Sequence, residues 1–173
     1  MLIRHAEKPV SDSLPGVRED GSSDKHSLIV RGWQRAGALV EFFVKPTRPN
    51  IALPAAIFAA ATSNDPSISP EEAKSLRSQE TVEPLRRKLQ VALNATVAVG
   101  NESALIALLR ACSGAALVAW EHKHIPVIAA GFIDSPPAWG DRFDAVWVLD
   151  RQADDHYVLT VVNQCLLDGD LPA

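Results

Sequence analysis

Two rhythms of apolar positions alternate along this chain. Met1 to Ile3 is a very short apolar run that stops at Arg4, with room for only a brief strand. After Gly32, residues Trp33, Ala36, Leu39, Val40 and Phe43 recur at three- and four-residue steps, the spacing of an amphipathic helix. Pro46 and Pro49 end it. AAIFAAA (55–61) is a short apolar run of the kind found in a buried strand. A helical pattern returns from about Leu76 to Leu93, with Pro84 expected to mark a break or kink rather than helix interior. ESALIALLRAC (102–112) is a further helix, punctuated by Gly114. GAALVAW (114–120) reads as another buried strand and runs into EHKHIP, after which a helix continues to about Ala130. DAVWVLD (144–150) and HYVLTVVNQ (156–164) are rich in β-branched and aromatic residues, and RQADD between them is turn-like; they form a closing strand pair.

Strands alternating with helices imply an α/β sandwich with a largely parallel sheet and an antiparallel strand near one edge. Two polar stretches interrupt the pattern. Residues 9–27 are broken by Pro and Gly and read as an ordered loop; residues 62–75 read as a loop or excursion. No repeat or low-complexity segment divides the 173 residues, so one domain over 1–173 is expected.

Composition narrows the function classes. Hydrophobic residues make up 47% and charged residues 22%, the balance of an ordinary globular protein. A net charge of −4 argues against a nucleic-acid binder or a polybasic membrane module, so any basic site must be local. No apolar run reaches membrane-spanning length, and the N-terminus lacks the charged-then-apolar layout of a secretory signal. Cys112 and Cys165 lie far apart in apolar stretches, which reads as two reduced, buried thiols in a cytoplasmic protein.

The chemistry gathers at strand ends, where sheets of this kind bind ligands. The first strand ends in Arg4-His5, and the strand at 114–120 ends in Glu121-His122. Arg77, in LRSQET, opens a helix after an intervening strand and can reach the same crevice. Two guanidiniums and two imidazoles converging on one point repel one another and make a poor stability device. Around a phosphoryl group they make sense, because its oxygens accept several charge-assisted bonds and match the arginine fork.

These residues resemble the histidine phosphatase superfamily, also called phosphoglycerate-mutase-like, in its small cap-less bacterial form. Leu2 to Pro9 (LIRHAEKP) is similar to the family's opening Arg-His signature. LIVRGWQRAGALVEFF resembles its first helix, LRSQETVEPL its Arg-x-x-x-Thr segment, and LVAWEHKHIP the strand that ends in its second histidine. WGDRFDAVWVLD and VVNQCLLDGD are similar to the tails of small bacterial members, so the likeness covers nearly the whole chain. It implies a three-layer α/β/α fold and a phosphatase that hydrolyses phosphomonoesters through a covalent phosphohistidine. By position His5 is then the nucleophile, Arg4 and Arg77 clamp the phosphoryl oxygens, and His122 completes the pocket. Cations around His5, including a protonated His122, would hold its imidazole unprotonated. Neither cofactor nor metal is implied, and the partner is a small phosphorylated substrate or a phosphopeptide.

The sequence leaves other points open. Glu121, Glu7, Glu80 and Glu83 are all candidates for the general acid, and Lys8 for an extra phosphate contact. Glu121 adjoins His122, yet alternation along a strand would turn it away from that residue's face. Family members place several apolar residues before the Arg-His pair, where this chain has Met1-Leu2-Ile3. Three rival readings stand: a phosphomutase, a non-catalytic phospho-ligand module, and a metal site built from His122 and His124 on one strand face with Glu121 opposite. Trp120 and Trp139 are expected in the core. The physiological substrate and oligomeric state are not encoded in these patterns.

Overall fold

The computed structural model describes residues 1–11, 14–64, 66–67, 69, 72 and 74–172. Leu2 and Ile3 show how its sheet is built. They are neighbours in β1 (Leu2–Arg4), both inaccessible, and they enter different cores. Successive side chains of a strand point to opposite faces, so only a sheet covered on both sides can bury the two together. The same alternation runs through β2 (Ala56–Ala59), β4 (Ala116–Trp120) and β5 (Ala145–Arg151). Ile57, Leu117, Ala119 and Val146 join Ile3 under α1 (Val30–Val44) and α2 (Arg77–Leu89), which contribute Leu39, Phe43, Val82 and Leu85. Phe58, Val118, Trp120 and Trp147 join Leu2 on the other side, against Leu105 of α3 (Glu102–Ala111) and Ile125 and Ile128 of α4 (Ile125–Ala129). Full burial of one such aliphatic side chain contributes roughly 1.5–3 kcal/mol. The layers are α/β/α, as expected.

The strand order is β3-β2-β4-β1-β5-β6, with β3 at Leu93–Asn94 and β6 at Tyr157–Asn163. The first four strands are parallel. β5 runs against β1, and β6 pairs back on β5 from Ala145↔Asn163 to Arg151↔Tyr157, closing one edge as a hairpin. Trp120 and Trp139 are both buried, and the Trp139 and Trp147 rings meet at 5.0 Å between centroids. Among the described residues no helix is long and apolar enough to cross a membrane.

Three features depart from the sequence pattern. Pro84 lies inside α2, which continues to Leu89. The proline removes one backbone bond, to the carbonyl of Glu80. Packing of Val82 and Leu85, both inaccessible, holds the helix across that gap. The helix then stops short of Leu93 because Gln90 takes a left-handed conformation (φ 56°), and Leu93–Asn94 pairs beside β2 instead. Finally, the thiols differ: Cys112 is part-buried, whereas Cys165, in the turn after β6, is exposed rather than buried.

The loop expected over 9–27 is held by Asp24, whose carboxylate accepts from Arg18 Nε, the His26 amide and Ser27 Oγ. Asp12 and Ser13 of that loop lie outside the described residues, as do Asp65, Ile68, Pro70, Glu71 and Ala73 of the 62–75 stretch.

β1 and β4 are adjacent, with Arg4 opposite Trp120. The helix following β1 covers one face of the sheet and the helix following β4 covers the other. The two chains therefore part as they leave the sheet, and a crevice opens at the carboxyl ends of these strands.

Candidate functional site

His5 stands at the mouth of that divergence. Its amide donates to Trp120 O at 3.0 Å, so the β1–β4 ladder continues one residue beyond the strand and fixes the imidazole's base. The residue is 4% exposed. Nδ1 lies 2.8 Å from Ala6 O. A carbonyl only accepts, so Nδ1 carries the proton and Nε2 keeps its lone pair. Burial lowers the His5 pKa to about 3, against the Ala6 bond and with help from the charges of Arg4, Arg77 and Lys8. His5 is a neutral imidazole at pH 7.

The helix carrying Arg77 is tied to the backbone just past His5. The Ala6 amide donates to Thr81 Oγ1 at 2.8 Å, and that hydroxyl donates to Arg77 O at 2.6 Å. Behind it, the Leu76 amide donates to His26 O, and Arg77 Nη2 donates to Lys25 O at 2.9 Å. Arg77, 3% exposed, is thus set by its own helix start and by the 24–28 loop.

His122 follows β4 in a turn, not on the strand itself. His5, Arg77 and His122 line one cleft of about 240 Å³, together with Lys8, Glu121 and Lys123. Glu121 therefore does not turn away from His122: the strand ends at Trp120, and alternation ends with it. Glu121 Oε1 lies 2.6 Å from His122 Nδ1, and Oε2 accepts from the Lys123 amide at 2.7 Å. Burial, then the Arg4 charge, lowers the His122 pKa, and Glu121 and Asp141 act the other way. The net direction is away from the protonated partner expected from sequence. A larger cavity of about 400 Å³ lies at the other end of the strands, against Ala116 and Asp150, with neither histidine on its walls.

Arg4 is 4% exposed, and its guanidinium carbon sits 3.9 Å from the centre of the Phe143 ring. Its Nε and Nη1 are buried with no hydrogen-bond partner among the described residues. Burial lowers the Arg4 pKa, and the charges of Glu121, Asp141 and Glu7 raise it.

The four carboxylates open as general acids separate on their contacts. Glu7 forks with Arg35 at 2.8–3.1 Å, away from the cleft lining. Glu80 accepts from the Leu28 amide at 2.8 Å, and burial raises its pKa. Glu83 is held by Arg86 and Arg87. Glu121 alone of the four borders the cleft, where Glu72 is a second acid that sequence reasoning missed. Glu72 carries no spacing signal, nor does Phe143, which lies in the loop before β5 and faces Arg4. His124 does not share a face with His122. Its Nδ1 lies 2.9 Å from Glu102 Oε1, which also accepts from Trp120 Nε1 at 3.1 Å.

A six-stranded mixed sheet between two helical layers, with both histidine-bearing turns at the ends of its adjacent central strands, is the phosphoglycerate-mutase-like architecture. The solved structure described as the protein histidine phosphatase SixA complexed with tungstate is similar to this chain. The TM-score is 0.61 at 13% identity, over 95% of this chain and 96% of that one. The likeness shows a shared fold. No family model matches the chain, and no curated protein matches it.

Proposed function

We propose that the chain is a cofactor-independent phosphatase that hydrolyses phosphomonoesters, or the phosphoryl group of a phosphopeptide, through a phosphohistidine on His5. The observation that carries this reading is the state of His5: neutral, with Nδ1–H held by Ala6 O, in one cleft with Arg77 and His122. An imidazole attacks only through an unprotonated nitrogen, and Nε2 is that nitrogen. The fold shared with a histidine phosphatase, one whose structure holds the oxyanion tungstate, supports the same reading.

In the proposed reaction His5 Nε2 forms a bond to phosphorus as the bond to the leaving oxygen breaks. Arg4 and Arg77 stabilise charge on the equatorial oxygens, the term that dominates catalysis of phosphoryl transfer. His122 completes the pocket, its Nδ1 turned to the Glu121 carboxylate. A cleft carboxylic acid, Glu121 or Glu72, protonates the leaving oxygen. Water then attacks the phosphohistidine and gives a proton back to the same carboxylate, the phosphorus–nitrogen bond breaks, and His5 recovers its lone pair.

The test is oxyanion binding. Tungstate titrated calorimetrically into the wild type should bind, and Arg4→Gln and Arg77→Gln should each weaken it by about 10- to 100-fold, the range of one or two charge-assisted bonds. Undiminished binding in both variants would remove the clamp and the proposal with it.

The lowered His5 pKa also sets a pH dependence of stability. Between pH 6.5 and about 3 the unfolded chain protonates this imidazole while the folded chain does not. His5 therefore costs the fold stability progressively as pH falls through that window, and costs none above it. Urea unfolding of the wild type should lose more stability from pH 7 to pH 4.5 than unfolding of His5→Gln; parallel losses would contradict the burial of a neutral ring.

A further inference from the structure

We infer that Phe143 is a positioning residue for the phosphoryl clamp, holding the Arg4 guanidinium in place while leaving its Nε and Nη1 donors unspent. The inference rests on the proposed anion site, and it adds a residue that neither the sequence pattern nor the fold comparison points to. Arg4 is a buried cation, and buried cations are ordinarily held by carboxylates. Here Glu121, Asp141 and Glu7 act on it through their charge, yet Nε and Nη1 receive no hydrogen-bond acceptor among the described residues. What covers the guanidinium is a ring, 3.9 Å from its central carbon.

The distinction matters because all five N–H bonds of a guanidinium lie in its plane. A carboxylate fork engages that edge and would compete with an incoming phosphoryl group. An aromatic face engages the flat side, attracts the cation through its quadrupole, and leaves the edge available. The same ring lies 6.1 Å from the His5 imidazole, tilted by 57°, so one side chain flanks both residues of the opening pair.

Phe143 is itself fixed from both sides. Arg142 forks onto Asp144 at 2.9 and 3.1 Å and reaches Asn163 Oδ1 at 2.7 Å. Asp144 Oδ2 accepts from the Leu171 amide at 2.7 Å, and Trp139 Nε1 donates to Arg142 O at 2.9 Å. These contacts clamp the two residues next to Phe143 at the entry to β5. Such a supporting shell is what holds a binding group in one orientation.

The experiment measures orthovanadate binding by calorimetry together with aryl phosphate kinetics in Phe143→Leu, Phe143→Tyr, Arg4→Gln and the Arg4→Gln/Phe143→Leu double variant. Phe143→Leu is expected to weaken vanadate by roughly 10-fold, and Phe143→Tyr, which keeps the aromatic face, to stay within about 2-fold of wild type. In the Arg4→Gln background, Phe143→Leu should add nothing, because the ring acts through the cation. A Tyr variant as weak as the Leu variant, or a full Leu effect without Arg4, would overturn the role of Phe143. An Arg4→Gln variant that binds vanadate as wild type does would overturn the anion site as well. Should Phe143→Leu not fold, Phe143→Tyr and Phe143→Met are compared in its place, and equal vanadate affinity in those two overturns the inference.

Discussion

His5→Ala should fold and yet lose aryl phosphate turnover by at least about 1,000-fold, the scale seen when a covalent nucleophile is removed. The loss should appear in kcat, because the proposed clamp residues Arg4 and Arg77 remain to hold the phosphoryl group. Covalent labelling from a radiolabelled phosphoryl donor should vanish in the same variant, while tungstate still binds. The ring's backbone neighbours keep their bonds without it: the residue-5 amide stays on Trp120 O, and the Ala6 amide on Thr81. A His5→Ala enzyme with wild-type kcat would sink the phosphohistidine mechanism, whatever the anion affinity.

Arg35→Met should cost about 3–5 kcal/mol of folding stability, the usual result of stripping the counter-charge from buried ionic groups. Arg35 is 2% exposed, on the face of α1 that packs inward. Nε and Nη2 donate to the Glu7 carboxylate, Nη2 also to Asp170 Oδ1 at 2.7 Å, and Nη1 to Gln164 Oε1 at 2.9 Å and Asp170 Oδ2 at 3.0 Å. No N–H of the guanidinium is left over. Burial would raise the Asp170 pKa, but the Arg35 bonds and the Leu166 and Leu167 amides outweigh it and bring that pKa down to about 2. Without Arg35 the carboxylates of Glu7 and Asp170 are left side by side, both shielded from water. For a chain of this length the loss corresponds to a melting temperature lower by about 10 °C. Arg35→Lys should recover little, since one ammonium cannot span three partners. A Met variant within 1 kcal/mol of wild type in urea would show the network to be dispensable.

The network also explains how a residue close to the proposed nucleophile in sequence can have its carboxylate held elsewhere. Glu7 is two positions beyond His5, and proximity made it a fair candidate for the general acid. Its carboxylate is instead taken by Arg35 of α1, which itself reaches Gln164 and Asp170, and the chain around it is packed so closely that a Cβ on Gly32 would fall 2.6 Å from Glu7 O. Glu80 shows the same effect one turn beyond Arg77, where the side chain is spent on the Leu28 amide. Sequence spacing places a carboxylate near a site; only its partners decide whether it is available.

Legibility along the chain followed the range of the interaction. The periodicity of Trp33 to Phe43, the apolar runs at 55–61 and 114–120, and the closing strand pair are local patterns, each buried by the neighbouring layer, so the α/β/α order could be read directly. The Arg-His pair, Arg77 and His122 were legible for a related reason: each sits at an end of a strand or helix, where this class of sheet gathers its ligands. Pro84 misled because tertiary packing outweighed a local propensity, and Cys165 because an apolar stretch ended in an exposed turn.

By itself, then, the sequence determined the layers, the strand and helix succession, and which cationic and imidazole side chains arrive at the sheet's carboxyl edge. Tertiary structure decided what those side chains are once there: a neutral His5 with Nδ1 on Ala6 O, an Arg4 faced by Phe143, a Glu7 taken by Arg35. The reason is physical. Periodicity reports which face of an element is buried, whereas protonation, pairing and orientation depend on partners such as Phe143 and Asp170, which lie more than a hundred residues along the chain from the groups they touch.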